Sequence, residues 1–208
     1  MNQNSNEKRT LAQWLFNPFR FIAGYQALLI GIAAILLTSL LGSVSNTHFD
    51  GVLDVHAGLQ TPLWFFLSES LINWISLAIL LLLLGLMVSR SSSRTIDVIG
   101  TQALARWPYL ITAIAMLPKA NQKVLEYLIA KCTQSHTSIL INGADITIFA
   151  VVMFLTILMI FWMVALMYRA YTVSCNIKGL KAIVTFIIGL IGAEVISKAA
   201  ILAIARTL

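Results

Sequence analysis

Long uninterrupted apolar runs constrain this chain more than any other feature. Residues 21–43 and residues 146–168 contain no charged side chain. A helix of about 20 residues, rising about 1.5 Å per residue, matches a hydrocarbon core of about 30 Å. Because every backbone polar group inside a bilayer must find its partner within the protein, these runs predict membrane-spanning helices.

The composition points to the same surroundings. The 208 residues are 59% hydrophobic and 11% charged, and the mean hydropathy is +0.89. A soluble domain of this size has too little interior to bury so much apolar surface. We therefore expect an all-α fold, an integral membrane helical bundle in contact with the lipid bilayer. The apolar run behind residues 1–20 is too long for a cleaved signal peptide, and we expect it to remain as the first span.

Five segments are expected to cross the membrane. They lie at about residues 21–43, 63–88, 96–117, 146–168 and 182–205. The third is the least apolar, because it contains Asp97, Arg106 and Pro108. A re-entrant or interfacial segment is the alternative for it. The fifth contains Glu194 and Lys198 among many Ile, Leu and Ala residues.

The distribution of Lys and Arg predicts the orientation. The loop 43–61 contains neither, and five spans with a cytoplasmic amino terminus put most cations in the cytoplasm and the carboxyl terminus opposite. Four spans would also leave most cations in the cytoplasm, so the distribution of charge alone does not decide between four and five spans. The net charge of +6 does not indicate nucleic-acid binding, since no basic stripe with interleaved aromatics is present. The expected cytoplasmic cations are Lys8, Arg9, Arg20, Arg90, Arg94, Arg169, Lys178 and Lys181.

Charged residues at membrane depth are the first candidate site. Arg106 and Glu194 each lie near the middle of a predicted span, where an isolated charge costs roughly 2.5 to 3.5 kcal/mol. We expect Arg106 to pair with Glu194, with Lys198 one helical turn beyond it. The group is either a buried clamp that fixes helix packing or part of an ion or proton path. Glu69 and Asn73 add polar groups in the second span.

The first loop carries a weak candidate metal site. Its nitrogen and oxygen donors are His48, Asp50, Asp54 and His56. Ordinary polar loop residues explain this set better, so no metal and no cofactor is assigned. The sequence has no phosphate-binding glycine loop, serine elbow or metalloprotease helix motif. With soluble segments too short to form a catalytic pocket, we expect a protein that is not an enzyme.

Small residues form stripes along two of the predicted spans. Such faces let helices approach closely, either within one chain or between two protomers that self-associate. The stripes are Ala27, Gly31, Ala34, Thr38 and Gly42 in span one, and Thr185, Gly189, Ala193 and Ser197 in span five.

Several sequence stretches outside the purely apolar runs occur along the chain in the same order as in a known family. They are residues 14–20 (Trp-Leu-Phe-Asn-Pro-Phe-Arg), 97–99 (Asp-Val-Ile), 107–108 (Trp-Pro), 168–171 (Tyr-Arg-Ala-Tyr) and 178–182 (Lys-Gly-Leu-Lys-Ala). In this pattern the chain resembles the Yip family, the Ypt/Rab-interacting multi-span membrane proteins, in its short bacterial form. The resemblance implies a domain of five spans over residues 21–208, after a short cytoplasmic segment.

The same resemblance implies a scaffold or adaptor in membrane organisation or trafficking. For a bacterial form, the expected location is the inner (plasma) membrane, as a multi-pass protein. Eukaryotic members bind prenylated Rab GTPases, but their Asp-Leu-Tyr-Gly-Pro and Gly-Tyr-Pro type motifs are absent here, so no GTPase-binding residue is assigned. The alternative function is a small transporter or channel subunit that uses Arg106, Glu194 and Lys198 at membrane depth.

Overall fold

The computed structural model describes residues 10–58, 60–89, 94–133 and 139–206, and this part of the chain contains eight α-helices and one short β-ribbon. A 3-10 turn, Pro18–Arg20, joins the first two helices. The expected cytoplasmic cations Lys8, Arg9 and Arg90 lie outside the described residues. In chain order the elements are α1 (Leu11–Phe16), α2 (Gly24–Ser45), β1 (Thr47–His48), β2 (His56–Ala57), α3 (Leu63–Val88), α4 (Thr95–Ala105), α5 (Pro108–Ala115), α6 (Lys119–Cys132), α7 (Gly143–Ser174) and α8 (Gly179–Ala205).

Among the described residues, four helices are long and apolar enough to cross a membrane: α2, α3, α7 and α8. Their outward faces carry large exposed apolar side chains such as Leu29, Phe161 and Ile191. A continuous apolar surface of this kind is stable against lipid rather than water. The prediction of an all-α membrane bundle is confirmed at this level, with four candidate spanning helices.

The predicted third span, residues 96–117, is a broken helix. Pro108 has no N–H to offer the carbonyl of Leu104, so the regular helical bonding pattern stops there. The N–H groups of Arg106 and Trp107 instead bond to carbonyls three residues back, each at 3.2 Å. The two pieces, α4 with 11 residues and α5 with 8, are each shorter than the roughly 20 residues that a spanning helix needs.

Helix α4 nevertheless lies inside the bundle, parallel to α2. Near the start of α2, the carbonyl of Gly24 lies against Gly100. Seven residues further along α2, Gly31 packs directly on the backbone of Ala103. Because the contacts progress in the same direction along both helices, α2 and α4 are parallel. Helix α5 continues the path beyond the break, in contact with α2 and α7.

One end of the bundle carries five of the eleven Lys and Arg residues that the structure describes. Here α3 and α7 end close to the start of α4: Ser89 Oγ donates to the carbonyl of Cys175 (2.7 Å), and Ser174 Oγ donates to the carbonyl of Asp97 (3.3 Å). We call this the basic end. Its described cations are Arg20, Arg94, Arg169, Lys178 and Lys181.

The opposite end carries the β-ribbon and α6, and we call it the loop end. Helix α6 buries Ala120 and Val124 against the bundle, while Ile129 is exposed. Gln122 of α6 lines a small cavity together with Asn46, the residue that follows α2. The chain segments before α4 and after α5 therefore lie at opposite ends of the bundle.

The two small-residue stripes are used for packing inside the chain. Gly31 allows α2 to approach α4, and Gly189 of α8 lies so close to α3 that an added Cβ would be 2.6 Å from Leu81. Ala193 and Ser197 are fully buried on the same face of α8. The close approach that such stripes permit is thus made between helices of a single protomer.

Candidate functional site

The loop between α2 and α3 is folded into the end of the bundle. Helix α2 ends at Ser45, and the next residue, Asn46, has a φ of 50°, a left-handed conformation that asparagine tolerates. The ribbon that follows pairs His48 with His56. Between the two strands, Phe49 and Val52 are buried, at 2% and 0% exposed. The loop therefore packs apolar side chains inward and places its backbone against polar side chains of the surrounding helices.

Helix α3 binds the first part of this loop through two buried side chains. The carboxylate of Glu69 accepts hydrogen bonds from His48 Nδ1 (2.8 Å) and from the N–H of Phe49 (3.4 Å). Asn73 Nδ2 donates to the carbonyl of Phe49. The imidazole of His48 also stacks on Phe66, with 4.4 Å between ring centroids. These contacts tie β1 and Phe49 to the first half of α3.

The break between α4 and α5 supplies the next two contacts. Arg106, at the end of α4, donates from Nη2 to the carbonyl of Val52 (3.5 Å), and Tyr109 Oη donates to the same oxygen (3.2 Å). The ring of Tyr109 also packs against Phe49, 4.9 Å between centroids. Both residues flank Pro108, so the interruption of the helix brings two side chains to one carbonyl.

Helix α8 holds the far side of the loop. Glu194 Oε2 accepts a hydrogen bond from the N–H of Leu53 (3.0 Å). One turn later, Lys198 Nζ contacts Asp54 Oδ2 at 2.5 Å and Glu194 Oε1 at 3.6 Å. We call the residues that hold the loop from all sides the loop clamp: Glu69, Asn73, Arg106, Tyr109, Glu194 and Lys198.

The structure corrects the expected direct pair between Arg106 and Glu194. The peptide unit between Val52 and Leu53 lies between them, with its carbonyl bonded to Arg106 and its N–H bonded to Glu194. The physical reason is that an inserted loop backbone offers both a donor and an acceptor, so each charged group finds a partner without meeting the other. The expected contact between Glu194 and Lys198 is present.

Two atoms of the clamp have no hydrogen-bond partner among the described residues, Asn73 Oδ1 and Arg106 Nη1. Arg106 is 4% exposed. Arg106 lines a cavity of about 10 Å³ together with Thr38, Ser70 and Tyr109. Ile35 and Phe49 complete its wall, and a cavity of this size that contains polar groups has room for about one water molecule. Such a water would satisfy the guanidinium without opening a wider passage.

Three of the four weak metal candidates come together, and the fourth does not. Asp50, Asp54 and His56 each place one donor atom within 4.8 Å of the others. His48 instead bonds to Glu69. The ammonium of Lys198 already contacts Asp54 Oδ2, so this carboxylate has a cationic partner within the protein. The set is therefore explained by ion pairs within the protein, and we assign no metal.

The contact between Asp50 and His56 gives a pH-dependent contribution to stability. The two side chains lie 3.2 Å apart. The hydrogen bond from His56 lowers the pKa of Asp50, and the hydrogen bond to Asp50 raises the pKa of His56 above its ordinary 6.5. The stabilisation that His56 contributes is complete below pH 6.5, and it is lost as the pH rises through the raised pKa of His56. The stabilisation that Asp50 contributes is complete above pH 3.8, the ordinary pKa of aspartate, and it is lost as the pH falls through the lowered pKa of Asp50.

We predict that the purified protein loses a few tenths to about 1 kcal/mol of stability as the pH rises from weakly acidic to weakly alkaline, because both side chains are partly exposed. Thermal unfolding in detergent across this pH range measures it. The His56→Gln variant should lack this part of the pH dependence, whereas a Lys131→Gln variant should keep it. An unchanged pH profile in His56→Gln would refute the assignment.

Sequence reasoning found most of the clamp but missed Tyr109 and the loop backbone. Tyr109 follows Pro108 directly, and a helix break beside a charged residue was a usable signal for it. The carbonyl of Val52 had no such signal, because every residue carries a backbone carbonyl. Comparison with protein-family models, with curated proteins and with solved structures found no match.

Proposed function

We propose that this chain is a non-enzymatic integral membrane protein that works as a scaffold or adaptor, with helix faces and short loops as its contact surfaces. The observation that carries the proposal is the use of the deep polar side chains. Glu69, Asn73, Arg106 and Glu194 each bond to the backbone of one loop. Polar groups that conduct ions or protons face a water-filled path. Those of the loop clamp serve to hold the protein together.

The proposal includes five crossings, with α4 and α5 together as the third. It is supported by the parallel course of α2 and α4, and by the position of α6 at the loop end. The loop 43–61 at the loop end contains no Lys or Arg, so by the positive-inside rule the basic end faces the cytoplasm. The amino-terminal segment is then cytoplasmic and the carboxyl terminus lies opposite. This is the topology that the resemblance to the Yip family implies, and the inner membrane of a bacterium is the proposed location.

Two measurements on the full chain test the scaffold function. A photo-crosslinking residue at Arg94, exposed at the basic end, should give a discrete protein adduct in native membranes. The same residue at Phe161, which is 71% exposed on an apolar face of α7, should give none. Proteoliposomes should show no proton or cation flux above that of protein-free vesicles. Saturable flux, or identical adducts from both positions, would contradict a scaffold.

A small transporter or channel subunit is the second candidate, favoured by one observation. A cavity of about 410 Å³ opens at the loop end, and its lining includes His48, Asp50, His56, Glu69 and Lys198. This is enough space for a small solute beside several titratable groups. If this candidate is correct, flux in proteoliposomes depends on pH, and Glu69→Gln abolishes it while the protein stays folded.

A further inference from the structure

A concave surface with a volume of about 430 Å³ lies at the basic end, between the Pro18–Arg20 turn, the end of α7 and the start of α8. We call it the basic pocket. Its lining includes three cations, Arg20, Arg169 and Lys178, and no acidic residue. All three side chains are exposed, and none forms an ion pair with another described residue. The positive charge of the pocket is therefore not compensated by the rest of the described chain.

The backbone adds donors to these cations. Helix α8 begins at Gly179, whose φ of +69° is a conformation that glycine adopts without strain, and no side chain caps this helix end. The first N–H groups of a helix lack partners within the helix and favour an anion. A Cβ added at Gly179 would meet nothing within 4 Å, so the approach is open. An anion in the pocket would meet charged side chains and backbone donors together.

The surface beside the basic pocket is apolar. Leu180 is 75% exposed next to Gly179, Phe16 is exposed next to Asn17, and Val173 lies on the wall itself. A free phosphate ion gains nothing from such neighbours. A phospholipid can bind to both the cationic pocket and the apolar surface beside it, because its phosphate group is anionic and its acyl chains are apolar. The pocket also lies where the long apolar helices end, which is the depth of lipid headgroups.

We propose that the basic pocket binds the phosphate headgroup of an anionic phospholipid, with Arg20, Arg169 and Lys178 as its charged ligands. The acyl chains lie against the exposed apolar side chains beside the pocket. Basic pockets between membrane helices on the cytoplasmic side suit such headgroups, and each cation near the membrane surface contributes on the order of five-fold in affinity. The lipid site is independent of the choice between scaffold and transporter, because it uses no residue of the loop clamp.

Spin-labelled lipids in vesicles of phosphatidylcholine that contain the full chain test this site. We expect the protein to retain labelled phosphatidylglycerol in preference to labelled phosphatidylcholine. The double variant Arg169→Gln with Lys178→Gln should lower this preference by on the order of ten-fold or more. The matched control, Lys119→Gln with Lys131→Gln, removes the same charge from exposed positions on α6 and should keep most of the preference. Millimolar inorganic phosphate should leave the preference intact.

Three results would overturn the proposal. Equal retention of the two lipids by the unmodified chain would exclude a selective site. An equal loss in the two double variants would indicate general surface charge. Loss of the preference on adding inorganic phosphate would indicate a site for the free ion. If circular dichroism shows that the double variant is misfolded, the single variants Arg20→Gln and Lys178→Gln, outside the long helices, give the same test with a loss of about five-fold each.

Discussion

Glu69→Ala lowers the free energy of unfolding by about 3 kcal/mol or more. Glu69 is 1% exposed and accepts hydrogen bonds from His48 and from the N–H of Phe49. A hydrogen bond to a charged group contributes roughly 1.5 to 3 kcal/mol, and a buried donor that loses its acceptor adds its own desolvation cost. Because both donors belong to the inserted loop, the variant should also release the loop from the bundle. Reversible unfolding in mixed detergent micelles measures the loss.

The control for this prediction is Glu126→Ala, which removes the same group from the exposed surface of α6 and should change stability by less than about 0.5 kcal/mol. The double variant His48→Ala with Glu69→Ala should be less destabilised than the sum of the single variants, since the two side chains share one contact. A Glu69→Ala protein as stable as Glu126→Ala would show that the clamp does not hold the loop.

Gly31→Ala is the second substitution with a large expected effect, again about 3 kcal/mol of destabilisation. The added Cβ would lie 2.6 Å from the Cβ of Ala103 and closer still to the backbone of Ala103 and Leu104. Backbone atoms cannot turn aside as a long side chain can, so α2 and α4 must separate. Overpacking in a close-packed core typically costs 1 to 3 kcal/mol and occasionally more. Gly31→Leu should prevent folding.

A second glycine provides the matched control. A Cβ added at Gly143, the first residue of α7, would meet nothing within 4 Å, and its φ is not positive. Gly143→Ala should therefore leave stability unchanged or raise it by about 0.4 to 1 kcal/mol, through the lower entropy of the unfolded chain. Equal stability of the Gly31→Ala and Gly143→Ala proteins would mean that α2 and α4 are not in contact at Gly31.

The long spans could be predicted from the sequence because their boundaries have local causes. The predicted second span, residues 63–88, coincides with α3, which begins after Pro62 and ends before Ser89. Helix α2 begins at Gly24 rather than at residue 21, because Gly24 takes a positive φ after the Pro18–Arg20 turn. Helix α7 begins at Gly143 because Asn142 caps it. Each of these signals lies within a few residues of the boundary that it sets.

The candidate site was harder to predict, because its partners are distant in the sequence or have no signature. The expectation that Arg106 needs an acceptor was sound, but a carboxylate was the only acceptor that a sequence pattern could suggest. The actual acceptor is the carbonyl of Val52, in a loop whose burial depends on the whole bundle. The proximity of His48 and His56 follows from the pairing of β1 with β2. The side chain of His48, however, forms its hydrogen bond with Glu69 of α3.

Labelling of new thiols from the two sides of the membrane tests most directly whether α4 and α5 carry Arg106 across the bilayer as the third of five spans. The variants are Arg94→Cys, before α4, and Lys119→Cys, after α5, each in a chain with Cys132→Ser and Cys175→Ala. We predict that a membrane-impermeant maleimide labels the Lys119→Cys protein in intact cells and the Arg94→Cys protein only after the membrane is opened. Labelling of both variants from the same face would contradict the five-span bundle.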